Sequence, residues 1–171
     1  MLLIGWAAAL RRSELVGLTV EDITKHDHGI DLLIRKSKTD QHGEGQTVFV
    51  PIAKSQDRCP VLALNDWLEL AGVSAGVLFW QVSRHDYLIG DRALTPQAVA
   101  QVVQAAVPAA RGNEAAMEVA GHSLRAGYAT TGVEMGLPAT EIMRDTRHTS
   151  VAVLLNVYVR PSEKRRTQSL L

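Results

Sequence analysis

Residues 29 to 51 break the rhythm of this chain, and that break limits the folds open to it. Gly29-Ile30-Asp31-Leu32-Leu33-Ile34-Arg35 and Thr47-Val48-Phe49-Val50-Pro51 are rich in β-branched and aromatic residues, the composition that suits strands. The polar stretch Thr39-Asp40-Gln41-His42-Gly43-Glu44-Gly45-Gln46 between them reads as a hairpin loop. Ile23 to His26 offers a third strand. Both flanks are helical in pattern. Residues 2 to 10 read as a helix, and a short one follows around Ser13-Glu14-Leu15-Val16 and stops at Gly17. Thr19 caps the turn at Val20-Glu21-Asp22-Ile23. Pro60 stands at the first position of a helix over residues 60 to 71, with Gly72 as its stop. Thr95-Pro96 opens a helix to about Val107, and Ser123 is the N-cap of one ending at Gly136. Pro138 starts a short helix through Arg144. Ser150 caps Val151 to Val159, and Pro161 interrupts. With no internal repeat or long linker, the expected fold is mainly α with a small antiparallel β-sheet, an α+β domain.

The 171 residues suffice for one domain with its own core. Met1 to Leu10 is apolar but short and lacks a preceding basic segment, so it reads as a buried helix rather than a signal peptide. No run approaches the roughly 18 apolar residues of a membrane span. The single Cys59 excludes an internal disulfide and a CxxC metal pair, which fits a reducing cytoplasm. Formal net charge is zero, which counts against a nucleic-acid binder unless the charges are segregated. They are: Arg35-Lys36-Ser37-Lys38 and Lys164-Arg165-Arg166 are basic, while acids such as Glu14, Glu21, Asp22, Asp66 and Glu69 fall elsewhere.

Five features carry chemistry, and their order matters. They are Ala9-Leu10-Arg11-Arg12-Ser13-Glu14-Leu15, Ser37-Lys38-Thr39 at the hairpin, His122-Ser123-Leu124-Arg125, Arg147-His148-Thr149-Ser150, and Tyr158 within Asn156-Val157-Tyr158-Val159-Arg160. Taken singly, each has an ordinary reading. Arg11 beside Arg12 is a solvated helix end, Lys36 and Lys38 are hairpin surface, His122 and His148 are structural histidines, and Tyr158 is core on an apolar helix. Five pieces in one order, each in a suitable local context, overturn those readings. The order resembles the catalytic domain of the tyrosine recombinases, the phage integrase family, from about residue 2 to residue 160.

That resemblance implies a metal-free, nucleotide-free cutting and rejoining of double-stranded DNA through a 3′-phosphotyrosine. It implies Tyr158 as nucleophile, Arg11 and Arg125 as the two arginines on the phosphate, and Lys38 as the acid for the leaving 5′-oxygen. His122 would assist proton transfer or hold a phosphate oxygen, and His148 would donate a hydrogen bond to the phosphate. These residue types suit the reaction. Forked guanidiniums bind the charge that builds on non-bridging oxygens, and a phenol only about 0.1% ionised at neutral pH needs cationic neighbours and a base. Glu14 is expected to buttress an arginine, and Arg12 to lie on the surface. No cofactor and no metal site are expected. His26-Asp27-His28 has the letters of a metal site, but it reads as a solvated loop.

The resemblance also implies a homo-tetramer on DNA, with a monomer possible without it, no membrane contact, and a cytoplasmic, nucleoid-associated protein. The expected division is a catalytic domain over residues 1 to 160 and a short tail over 161 to 171. An N-terminal core-binding domain is expected to be absent from this chain, and DNA binding correspondingly weak. The tail has three fates open to it: docking on a neighbouring subunit, folding back, or disorder. Three departures from the family pattern stand out, one of them the ten positions between His148 and Tyr158, where many relatives have nine and others ten. Ala9 replaces a frequent glycine, and Arg147 stands where Gly-His is common. Arg147 either adds a phosphate contact or alters the turn. Two rival functions are an inert DNA-binding module of the same fold and a helical protein-interaction domain. A type IB topoisomerase is a variant of the main reading.

Overall fold

A computed structural model describes residues 1–35, 45–85, 87–111, 123–148 and 150–154. The hairpin of the sequence reading is present: β2 (Gly29–Ile34) pairs antiparallel with β3 (Gln46–Pro51), from Gly29 opposite Pro51 to Ile34 opposite Gln46. β1 (Ile23–His26) adds the third strand, giving the order β1-β2-β3. Strand alternation decides the faces. Ile30, Leu32 and Ile34 are buried, while Asp31 and Leu33 point outward.

The buried face packs on α1 (Leu2–Ala7), α2 (Arg12–Val16) and α3 (Pro60–Ala71), through a core that includes Ile4, Leu15, Leu18, Leu64 and Leu78. Pro60 and Gly72 bound α3 as the sequence indicates. Thr19 caps the short turn at Val20–Asp22: its hydroxyl donates to Asp22 Oδ2 at 3.0 Å, and its backbone N–H donates to the same oxygen at 2.9 Å. Thr95 Oγ1 accepts the N–H of Ala98 and starts α4 (Pro96–Arg111). α5 (Ser123–Glu134), α6 (Ala139–Thr146) and the short α7 (Val151–Val153) follow, sharing a second small core of Ala129, Ile142 and Leu154. Among the described residues, no helix is long and apolar enough to cross a membrane.

Two departures from the sequence reading stand out. A second hairpin, β4 (Trp80–Val82) with β5 (Leu88–Ala93), occupies the stretch between Gly72 and Thr95 to which the sequence reading assigns no element, and its pairing is irregular at Trp80/Gln81. And α1 ends at Ala7, not at Leu10. Ala8-Ala9-Leu10 are good helix formers, so something outside the segment turns the chain there; the site below supplies it. The stretch Asn156–Arg160, expected to continue the last helix, lies outside the described residues.

Gly29 sets how closely the hairpin strands approach. A β-carbon there would lie 2.4 Å from the Val50 carbonyl oxygen and 2.7 Å from the Phe49 ring. Backbone of a paired strand cannot yield to it. Gly29→Ala is therefore expected to cost about 1–3 kcal/mol, read as a lower denaturation midpoint. Gly90→Ala, where nothing lies within 4 Å, is the control, and an equal loss there would discount the close approach.

Candidate active site

The turn that ends α1 is the starting point. Ala9 has φ +46, in the left-handed region that glycine favours. Its N–H reaches the Trp6 carbonyl at 3.0 Å, and the Leu10 N–H reaches the Gly5 carbonyl at 2.9 Å. This is the paired hydrogen bonding of a Schellman cap, with alanine in the glycine position. The chain then enters α2 with Arg11 as N-cap. Glu14, the third residue of α2, returns its carboxylate to the Arg11 N–H at 2.9 Å, half of a capping box.

Glu14 is buried, and three guanidiniums converge on it. Arg11 Nη1 lies 2.6 Å from Oε1, Arg147 Nη2 2.8 Å from Oε2, and Arg125 Nη1 3.7 Å from Oε2. Burial opposes its ionisation, but the Arg11 N–H, the Arg147 charge and the Arg11 side chain outweigh it. The carboxyl is held below its ordinary value. One negative charge thus faces three positive ones in a poorly solvated place. The excess is a standing capacity for an anion.

Arg125 is fully buried in the first turn of α5, and its Nη1 donates to the Ala9 carbonyl at 3.3 Å. That seat depends on close contact between α1 and α5. A β-carbon at Gly5 would come within 2.8 Å of Leu124 Cδ1, the residue before Arg125. A helix start already favours anions, so an arginine there points to an anion between the two.

His148 follows α6. Its Nδ1 lies 2.7 Å from Thr146 Oγ1, and the Thr146 hydroxyl donates to the Ile142 carbonyl one turn back. A hydroxyl has one proton, and the carbonyl takes it. Nδ1 therefore carries a proton and donates to Thr146, and in the neutral ring Nε2 is the lone-pair nitrogen. Burial, then Arg125, Arg11 and Arg147, push His148 down to about 4. In the anion-free site the ring is neutral.

Arg11, Arg125 and His148, three of the residues marked from the sequence, thus share one electrostatic site. Lys38, His122 and Tyr158 lie outside the described residues. Arg12 is partly buried, with Nη1 3.5 Å from the Pro96 carbonyl. His26 pairs with Asp31 across the strand pair at 2.8 Å. Among the described residues, no group of three His, Cys, Asp or Glu side chains converges as for a metal. Sequence reasoning left the role of Arg147 open and missed Thr146. Both lie beside His148 in sequence, which was the available signal. The phenol of Tyr128 donates to Asp145 Oδ2 at 2.7 Å, and burial and this bond hold it well above its ordinary value. Tyr87 is 74% exposed.

Comparison with known proteins bears on this arrangement. Residues 1–165 match the model of the Phage integrase family. An integrase/recombinase XerD homolog from Selenomonas ruminantium is 37% identical over 150 residues, 88% of this chain and 43% of that protein. The chain therefore spans less than half the length of that relative. Among solved structures, the XerA recombinase superposes with TM-score 0.67 at 19% identity, over 94% of this chain and 52% of that one. The XerH site-specific recombinase bound to its difH substrate gives 0.65 at 18%, over 96% and 43%. The Tn1549 transposon integrase in complex with a circular intermediate DNA gives 0.59 at 14%, over 95% and 54%. These likenesses establish the fold: that of the tyrosine recombinase catalytic domains.

Two outcomes follow from the cluster. Glu14→Gln removes the carboxylate charge among three guanidiniums and is expected to cost about 3–5 kcal/mol by chemical denaturation, with sulfate restoring part of it. A loss below about 1 kcal/mol, the range of exposed ion pairs, would show that the cluster does not need that charge. The second concerns pH. His148 titrates near 4 folded against 6.5 ordinarily, so unfolding takes up a proton between those values. Stability is full above about 6.5 and declines as pH falls toward about 4, with a slope approaching 1.4 kcal/mol per pH unit. The difference between wild type and His148→Gln isolates this slope, and parallel pH curves would remove His148 as its source.

Proposed function

The chain belongs to the phage integrase family, and on that premise we propose that it is the catalytic part of a site-specific DNA recombinase that works through a 3′-phosphotyrosine. The observation that carries this reading is the Glu14-centred cluster, in which three guanidiniums share one carboxylate beside a neutral His148. A backbone phosphodiester supplies the missing negative charge. Its charge grows during attack, so the same cluster binds the transition state more tightly than the ground state.

The chemistry divides among named residues. The Tyr158 oxygen attacks phosphorus, its bond to phosphorus forms, and the bond to the 5′-oxygen breaks. The phenol proton passes to a base, His122, and the departing 5′-oxygen takes a proton from Lys38. Arg11 and Arg125 hold the non-bridging oxygens. His148 donates from Nε2 only once that nitrogen is protonated, and a bound phosphate favours this by offsetting the three guanidiniums. The chain has three tyrosines. Tyr128 donates to Asp145, which with burial holds its phenol protonated, and Tyr87 lies on the exposed second hairpin; the assignment of Tyr158 as nucleophile rests on its place in the family's motif order. The reaction stores the phosphodiester energy in the covalent link, so rejoining needs no nucleotide. The acting form is a homo-tetramer on double-stranded DNA.

The test is covalent trapping on nicked DNA bearing the native target, comparing wild type with Tyr158→Phe. A slow-migrating, protease-sensitive adduct is expected with wild type and none with the variant. DNA binding without an adduct would favour an inert binding module. Relaxation of supercoiled DNA regardless of sequence would favour a topoisomerase.

A further inference from the structure

Arg147 occupies the left-handed C-cap of α6, at φ +55. Its N–H reaches the Arg144 carbonyl at 3.2 Å and the His148 N–H reaches the Met143 carbonyl at 3.0 Å, the same Schellman pairing that ends α1. The described chain has four such caps. Gly72 and Gly136 close two of them with the expected residue. Ala9 and Arg147 close the other two, and they are the only non-glycine residues with positive φ among the described residues. These two strained caps touch each other.

The contact is made by one guanidinium. Arg147 Nη1 donates to the Ala8 carbonyl at 3.1 Å and to the Asp145 carbonyl at 3.3 Å. Its Nη2 donates to the Ala9 carbonyl at 3.0 Å and to Glu14 Oε2 at 2.8 Å. A guanidinium has four terminal N–H bonds, and these four acceptors account for all of them. The side chain is only 4% exposed. Both terminal nitrogens of Arg147 are thus engaged within the protein, and its buried Nε–H is the one donor outside these bonds. The Ala8 and Ala9 carbonyls lie at the C-terminal end of α1, where helices leave carbonyls without helical partners and where a cation is favoured.

We infer that Arg147 is a positioning residue of the site: its guanidinium ties the cap that carries His148 to the cap that leads into Arg11, and so fixes the spacing of the two groups across the phosphate. His148 is the next residue after the α6 cap, and Arg11 follows the α1 cap by two positions. The fork also holds Glu14, which sets Arg11 through two further hydrogen bonds. One planar group thus joins segments 133 to 139 residues apart. Lysine offers charge but no fork, and glycine offers the backbone angle but no donor. This role rests on the recombinase reading only in naming the phosphate as what the spacing serves.

The experiment uses the full chain with Arg147→Gly and Arg147→Lys. Glycine suits the left-handed cap, so that variant keeps the turn and loses the tie. Lysine keeps the charge, so any change in it reports geometry. The first readout needs no DNA: the titration of His148 followed by NMR of its imidazole. In Arg147→Lys the midpoint is expected to rise by at least about one pH unit from its depressed value as the ring gains solvent. The second is adduct formation on nicked target DNA, expected to slow at least about tenfold in both variants while DNA affinity stays within about threefold, the pattern of lost positioning rather than lost binding. An unchanged His148 midpoint in Arg147→Lys with a wild-type adduct rate would overturn the inference, as would an adduct rate in Arg147→Gly equal to wild type. If Arg147→Gly does not fold, Arg147→Lys decides alone by the same criteria. If wild type itself forms no adduct, the recombinase reading fails, and the His148 midpoint still decides the tie.

Discussion

The site depends on one buried carboxylate. Glu14 comes from a five-residue helix too short to be stable alone, yet it accepts from Arg11 and Arg147 and faces Arg125. Remove it and three guanidiniums are left to repel one another in a poorly solvated interior. Keep it and each guanidinium has a fixed direction. The carboxylate therefore serves order first. It cancels only part of the positive charge, and the uncancelled part is what an anion meets. A second acid at the same place would cancel a further charge and leave less of the excess for an anion.

Strain is concentrated at the same place. A left-handed conformation costs a residue with a β-carbon roughly 1–2 kcal/mol. The chain uses glycine in two of its left-handed caps, at Gly72 and Gly136, and accepts the cost at Ala9 and Arg147. At Arg147 the reason is visible: glycine would relieve the backbone but remove four hydrogen bonds. At Ala9 the β-carbon is fully buried, and packing offsets part of the strain. Strain held in place by surrounding contacts is a recurrent property of functional sites.

Much of the fold was legible in the sequence because it is set locally. The hairpin at Gly29–Ile34 and Gln46–Pro51 follows from alternation and β-branching, and α3 from Pro60 at one end and Gly72 at the other. The second hairpin was not legible. Leu88-Ile89-Gly90-Asp91-Arg92-Ala93 has no alternation, and its pairing with β4 is irregular. The end of α1 was not legible either, because Ala8-Ala9-Leu10 favours helix by itself and the hydrogen bonds that turn it come from Arg125 and Arg147, more than 115 residues away. The same holds for the site. Arg11, Arg125 and His148 stood out by motif order, whereas the inward role of Arg147 depends on partners that no local pattern announces. Thr146 was overlooked because a threonine at a helix end looks ordinary until its hydroxyl is seen to fix a histidine tautomer.

A chain with no net charge looks ill-suited to DNA, but a bulk sum weighs every charge equally, and the structure does not. Asp22 is buried and takes the Arg35 guanidinium; Glu14 is buried and takes its arginines. Around Glu14 the local count is three to one in favour of positive charge, with Arg125 and Arg147 nearly inaccessible to water. A charge there acts through low-dielectric surroundings, where the same separation is worth several times more than at the surface. It is also poorly screened by salt. His148 reports that field directly, held neutral by the burial and the three cations around it. A field that keeps a proton off a histidine is one that an anion would relax.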